Sequence, residues 1–252
     1  MVHPMISPSI RSELAPTGRL RVGINYGNPV LATRDPVSGE LRGVAVDLAR
    51  ELAARTNLPV ELIGFESAGK MFDAGKAGIW DVAFLARDPG RAGEIDFSAP
   101  YLEIEGTYLV PPGSPFNKVE DVDRKNVRIG VAANSAYDLF LSRTLRHAEF
   151  VRAPDGNAAV ELILAGKVDV AAGVRQHLQA NAGRLPGSRV LEDRFMSIQQ
   201  AAAVPKGRAP AARYVREFIE DVKASGFVAR AIERAGISGV SVAPPEAGRG
   251  KN

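Results

Sequence analysis

Along the chain, short runs of apolar and β-branched residues alternate with segments in which apolar positions return every three or four residues. Leu20-Arg21-Val22-Gly23-Ile24, Val60-Glu61-Leu62-Ile63, Trp80 to Leu85, Val127 to Val131 and Val168 to Ala172 read as buried strands free of proline. Val44, Leu48 and Leu52, then Leu141 and Leu145, Val160 and Leu164, and finally Val215, Phe218, Ile219 and Val222 mark four helices with one apolar face each. This alternation predicts the α/β class, parallel sheets covered by helices on both faces. From 209 to 236 the pattern is helical, with Ser225-Gly226 as a break between two helices. Pro111-Pro112-Gly113-Ser114-Pro115 reads as a crossing between two lobes, and residues 239–252, rich in Gly, Pro and charge, as a disordered tail. No internal repeat of fixed period is visible.

Composition narrows the function classes. A chain of 252 residues with 45% hydrophobic content buries one large or two small cores. Without cysteine it has no disulfide, zinc-thiolate site or thiol nucleophile. Its 32 basic and 29 acidic residues are interleaved, which argues against a nucleic-acid partner. No apolar stretch reaches the roughly 20 residues that span a bilayer. The segment from Met1 to Arg21 carries Pro4, Pro8, Glu13 and Pro16 where a secretory signal needs a charged start and an apolar run, so a cytoplasmic location stays open. His3, His147 and His177 are far apart in sequence, and neither a Gly-x-Ser-x-Gly elbow nor a phosphate-binding loop occurs, so no metal, cofactor or built-in nucleophile is expected. Asp47 falls in the first turn of a helix, where a carboxylate favours the dipole, and is read as structural.

Four segments then resemble one family in order and spacing. They are Gly43-Val44-Ala45-Val46-Asp47-Leu48-Ala49, the block from Asp81 to Tyr101 ending Arg91-Ala92-Gly93-Glu94-Ile95-Asp96-Phe97-Ser98-Ala99-Pro100-Tyr101, Gly130-Val131-Ala132-Ala133-Asn134-Ser135-Ala136, and Ala203-Val204-Pro205-Lys206-Gly207. The resemblance is to the type 2 (family 3) extracellular solute-binding proteins of amino-acid ABC transporters, and it covers residues 18–236. It implies a two-lobed type 2 periplasmic-binding-protein fold with a discontinuous first lobe, residues 18–108 plus 203–238, and a second lobe, 109–202, inserted into it. Two hinge strands would join the lobes, near Tyr108 to Pro111 and near Gln199 to Ala203. It further implies a periplasmic, monomeric, non-enzymatic protein that hands a small solute to an ABC permease in the membrane.

The resemblance also names candidate ligand contacts. Arg91 matches the arginine that grips the ligand carboxylate, a task its forked donors suit; the alternative is a surface pair with Glu94 or Asp96. Ser135, with the N–H groups of Asn134 and Ala136, would take the other side of that carboxylate or cap a helix. Tyr26 and Asn28 stand where the family places an aromatic wall, in a loop of ordinary turn formers. Ser67 to Lys70 and one of Gln199 and Gln200 are further candidates. Three departures matter. Asp88 replaces a threonine and either meets a cationic or hydroxyl group of the ligand or caps a turn, and Ala86 replaces a small hydroxyl residue. The position of the acid that pairs with an α-ammonium is Val174, with Arg175 next, so the solute is either an amino acid held differently or an organic acid whose second carboxylate meets Arg175. Two rival readings remain: a cyclohexadienyl-dehydratase-like enzyme, for which Glu66 and Lys70 are the suspects, and a cytoplasmic solute sensor.

Overall fold

A computed structural model describes residues 6–246. His3 and Pro4, and the last six residues of the expected tail, lie outside the described residues.

The chain opens with helix α1 (Pro8–Leu14) and strand β1 (Leu20–Asn25), followed by the small hairpin of β2 (Thr33–Arg34) and β3 (Leu41–Arg42). Helix α2 (Val44–Thr56), β4 (Val60–Phe65), α3 (Ala68–Lys76) and β5 (Val82–Ala86) complete a β-α-β-α-β unit. The long strand β6 (Ile95–Val110) and a 3-10 turn (Val119–Val122) lead to a second such unit: β7 (Arg128–Ala132), α4 (Ala136–Thr144), β8 (Glu149–Ala153), α5 (Gly156–Leu164) and β9 (Val170–Val174). The chain then runs through α6 (Arg175–Ala182), β10 (Arg189–Val190), the second long strand β11 (Met196–Pro205), α7 (Ala209–Ala224), α8 (Phe227–Arg234) and β12 (Ser241–Val242).

All strands except β2 and β3 join one ten-stranded sheet in the order β4-β1-β5-β11-β6-β9-β7-β8, with β10 and β12 added to β6. The two outer trios are parallel, and the antiparallel pair β6 and β11 welds them together. The sheet is therefore mixed, where the sequence pattern alone predicts parallel pairing. Burial explains the trios: β5 and β9 are buried at every residue, so their apolar side chains cover both faces at once.

The two units repeat one device. Arg21 donates two side-chain hydrogen bonds, at 2.9 and 2.8 Å, to the fully buried Asp81, and Arg128 donates two at 3.2 Å to Asp169. Each aspartate immediately precedes the third strand of its unit, and its own N–H donates to the carbonyl of the paired arginine. At Asp81 the pairing satisfies a carboxylate that would otherwise be buried unpaired. Arg208 adds a third donor to Asp81 at 2.8 Å.

Ser225-Gly226 does separate two helices, because Gly226 takes a left-handed φ of 72°. Asp47 lies in the first turn of α2 and accepts from Arg234 at 2.8 Å. Two expectations are corrected. Gly106 to Leu109 of β6 already pair with β9, so the change of partner precedes Tyr108, and the proline-rich segment follows it. The stretch from Gly239 to Glu246 is ordered: Ser241 and Val242 pair with Glu103 and Leu102, and Lys223 donates to the carbonyls of Pro100 and Pro244 at 3.1 and 3.0 Å.

Candidate functional site

A parallel strand ends where the next helix begins, so the carboxyl ends of the strands in each unit gather free N–H groups beside strand-end side chains. Here the two units face each other. Asn25, Ala86, Ala132 and Val174 are the last residues of β1, β5, β7 and β9, and all four line one cavity enclosing about 620 Å³ of empty space, part of it open to solvent. Ser67 and Ala68, Ser135 and Ala136, and Gly156 bring the first turns of α3, α4 and α5 to the same wall, and His177 brings that of α6. Four helix N-termini thus converge on one space, two parallel units contributing, and their partial positive charges favour an anion there.

The caps agree with this arrangement. Ser67 accepts from the Lys70 N–H, Ser135 from Asp138 at 3.1 Å and Asp155 from Ala158 at 2.8 Å. Each cap serves an N–H further into its helix, leaving those at the very start for whatever enters the cavity. Tyr137, in the first turn of α4, is the aromatic on the wall, and burial pushes its hydroxyl up to about 12, the Ser135 side chain opposing.

Of the residues singled out in the sequence, Ala86, Asn28, Ser135, Ala136 and Val174 line the cavity, as do Ser67, Ala68 and Gln200. Asn28 also shapes the loop, its Oδ1 accepting from Val30 at 3.1 Å. Arg91 does not line it. The residue is 1% exposed, and its guanidinium donates to the carbonyl of Ala86 at 3.0 Å and to that of Asn134 at 2.7 Å, above the ring of Phe72. Burial pushes it down to about 10, Asp88 opposing, so it stays charged at neutral pH. Two of its donors thus go to main-chain carbonyls. Asn134 adopts a left-handed φ of 57°, which turns its carbonyl towards Arg91 while its N–H donates to Asp138 at 2.9 Å.

Asp88 is likewise engaged. Arg143 of α4 grips it with contacts of 2.7 and 3.2 Å, and the Gly90 N–H donates to it at 2.7 Å. Arg175 bonds Glu105 at 2.6 Å and the carbonyls of Leu191, Glu192 and Asp193, which spends its donors away from the cavity. Tyr26 lies beneath the Arg34 guanidinium, 5.4 Å from it, outside the cavity wall. Gln199 is exposed and donates to Glu103. Glu66, on the wall, and Lys70 form an ion pair with each other.

Sequence reasoning passed over His177, which is on the wall; its only signal was its place three residues beyond the strand-end Val174. Gly69, within the singled-out stretch from Ser67 to Lys70, packs close to the second unit: a Cβ there would come within 2.8 Å of the Ala133 carbonyl oxygen.

Solved structures share this architecture. The solute receptor for L-cysteine of Neisseria gonorrhoeae aligns over 89% of this chain and 92% of its own, with 21% identity and a TM-score of 0.77. An ancestral amino acid-binding protein described as a precursor of cyclohexadienyl dehydratase aligns over 88% and 96%, with 21% identity and a TM-score of 0.74. A histidine kinase sensor domain with similarity to periplasmic binding proteins aligns over 89% and 98%, with 23% identity and a TM-score of 0.76. At these identities they establish the two-lobed fold and leave the solute open. Residues 20–236 match the model of a described family. The chain belongs to the bacterial extracellular solute-binding proteins, family 3.

Proposed function

We propose that this chain encloses one small carboxylate-bearing solute, an amino acid or an organic acid, and delivers it to an ABC permease on the outer side of a membrane. The observation that carries the reading is the convergence of α3, α4, α5 and α6, by their N-terminal turns, on one cavity. Each such end favours an anion by about 0.3–1 kcal/mol where exposed, and by more where water is excluded. The carboxylate is held by main-chain N–H groups of these turns and by the Ser67 and Ser135 hydroxyls. Arg91 acts from behind the wall, as a positioning residue and a fixed positive charge.

The first lobe in this reading is residues 18–105 with 203–236, the change of partner along β6 setting the first boundary, and the second lobe lies between. The solute bridges the lobes and so stabilises the closed form by the contacts made only there. The protein works as a monomer, without cofactor or nucleic acid, and as a binding protein in place of an enzyme. The mutual pairing of Glu66 and Lys70 supports the last point, since it occupies both the acid and the base a dehydratase reading would use. Among the described residues no helix is long and apolar enough to cross a membrane.

Calorimetric titration with a panel of amino acids and small organic acids tests the proposal. Saturable binding of at least one carboxylate, with neutral and purely cationic analogues inert, is the expected result. Binding confined to uncharged sugars or to cations without a carboxylate would overturn it.

A further inference from the structure

Two buried polar atoms on residues of the cavity wall have no hydrogen-bond partner: Gln200 Oε1 and His177 Nε2. Gln200 is 3% exposed and sits at the bulge of β11, where the register with β6 shifts between Gln200 and Ala201. The bulge is a local rearrangement that re-aims a side chain. His177 stands on the first turn of α6, its Nε2 edge beside Gly156, where an added Cβ would lie 3.1 Å from that atom. Both atoms are closed off from bulk water, Gln200 Oε1 as an acceptor and His177 Nε2 as an acceptor in its Nδ1–H tautomer, and buried polar atoms without a partner are rare enough in folded proteins to require a cause. A solute closed in against the wall is one source of such a partner.

The charges of the wall decide what kind of donor fits. Glu66 is the one acidic residue on it and is paired with Lys70. Just outside, Asp88 is taken by Arg143 and Asp138 by Arg152, while Asp155 caps α5. The converging helix N-termini add positive potential. A ligand ammonium would enter a positive field without a free carboxylate, the worst setting for a desolvated cation. An amide oxygen and a neutral imidazole nitrogen suit an uncharged O–H or N–H.

We infer that the solute is a carboxylate whose substituent facing Gln200 and His177 is an uncharged hydrogen-bond donor, a hydroxyl or an amide N–H, in place of the α-ammonium of an amino acid. This rests on the carboxylate-binding reading above and narrows it. Gln200 and His177 are the specificity-determining residues.

The test titrates the full chain with carbon skeletons of graded size, each offered as the unsubstituted acid, the 2-hydroxy acid, the N-acetyl amino acid and the free α-amino acid. The expected result is a 2-hydroxy or N-acetyl compound binding at least tenfold tighter than both its unsubstituted and its amino counterparts. Gln200→Leu should remove most of that preference and leave the unsubstituted acid unaffected. Gln200→Glu, nearly isosteric, should shift preference towards the amino acid by tenfold or more. A wild-type protein that binds the amino acid tightest on its best skeleton overturns the inference and leaves carboxylate binding standing. So does a hydroxy-acid preference that survives both Gln200 variants when these melt as the wild type does. Failure of every acid on every skeleton overturns the inference together with the reading beneath it.

Discussion

The Arg91 guanidinium donates to the main-chain oxygen of Asn134 at 2.7 Å, joining two turns 43 residues apart in sequence and on opposite sides of the cavity. Through its other arm it holds the Ala86 carbonyl at the end of β5. A rigid fork suits this double task, because its two donors leave in fixed directions.

Arg91→Lys keeps the charge and loses the fork. One carbonyl is then left without its partner, a cost of about 1–3 kcal/mol for a buried group. The bond to Asn134 exists only with the halves together, so the loss should appear chiefly as weaker solute binding, by about tenfold or more, with a smaller fall in Tm. Calorimetry and thermal melts on the same samples separate the two.

Asp88 and Arg143 form the second link across the cavity, the carboxylate buried and the guanidinium half exposed. Removing the arginine strands a buried charge, whereas removing both partners does not. Arg143→Gln should therefore be more damaging than the double variant Asp88→Asn, Arg143→Gln, with a coupling of about 0.5–3 kcal/mol in a double-mutant cycle of Tm or of binding. Additive effects would place the pair outside the closed form's energetics.

Gly69 opens a third approach to closure. A Cβ at this position would lie 2.8 Å from the Ala133 oxygen and 3.0 Å from Asn134 Cβ, main chain and a stiff atom that do not swing away. Alanine is also the better helix former by roughly 0.5–1 kcal/mol. Gly69→Ala should thus preserve or raise Tm while increasing the radius of gyration in solution scattering and weakening solute binding. An unchanged radius and affinity would show that the halves meet elsewhere.

The pH dependence of stability should carry the mark of His177. Burial holds its imidazole below its ordinary value near 6.5, with the Gly156 main chain and the Asp155 carboxylate opposing. The unfolded chain then binds the proton more readily than the folded one, so this contribution is fully present above pH 6.5 and is lost as pH falls from there towards the folded value. His177→Gln should flatten the Tm-against-pH curve in that window. A curve of unchanged slope would assign the acid sensitivity to other groups.

Much of the scaffold was legible in the sequence, and the reasons are local. Strands such as Val170 to Val174 announce themselves because burial on both faces demands continuous apolar residues, and Gly226 marks a helix break because it supplies the left-handed φ. The long strand β6 was hidden by Pro100, Glu103 and Glu105, residues that an exposed or bent stretch of strand tolerates. The internal duplication escaped because Arg21 and Asp81 are 60 residues apart, Arg128 and Asp169 only 41, so no fixed period exists. The wall of the cavity was legible where it is made of strand ends and caps, as at Ala86, Ser135 and Val174. The partners of Arg91, Asp88 and Arg175 were not legible because each is remote in sequence: a carbonyl at Asn134, the guanidinium of Arg143, the carboxylate of Glu105.

The most direct test of solute enclosure is calorimetric titration of the wild type beside Ala68→Trp, a half-buried wall position at the start of α3, with the same panel of small carboxylates. The account predicts one-to-one binding of a carboxylate by the wild type and none by a variant of matching Tm whose cavity is filled. Equal binding by both proteins would place the solute outside the cavity and contradict it.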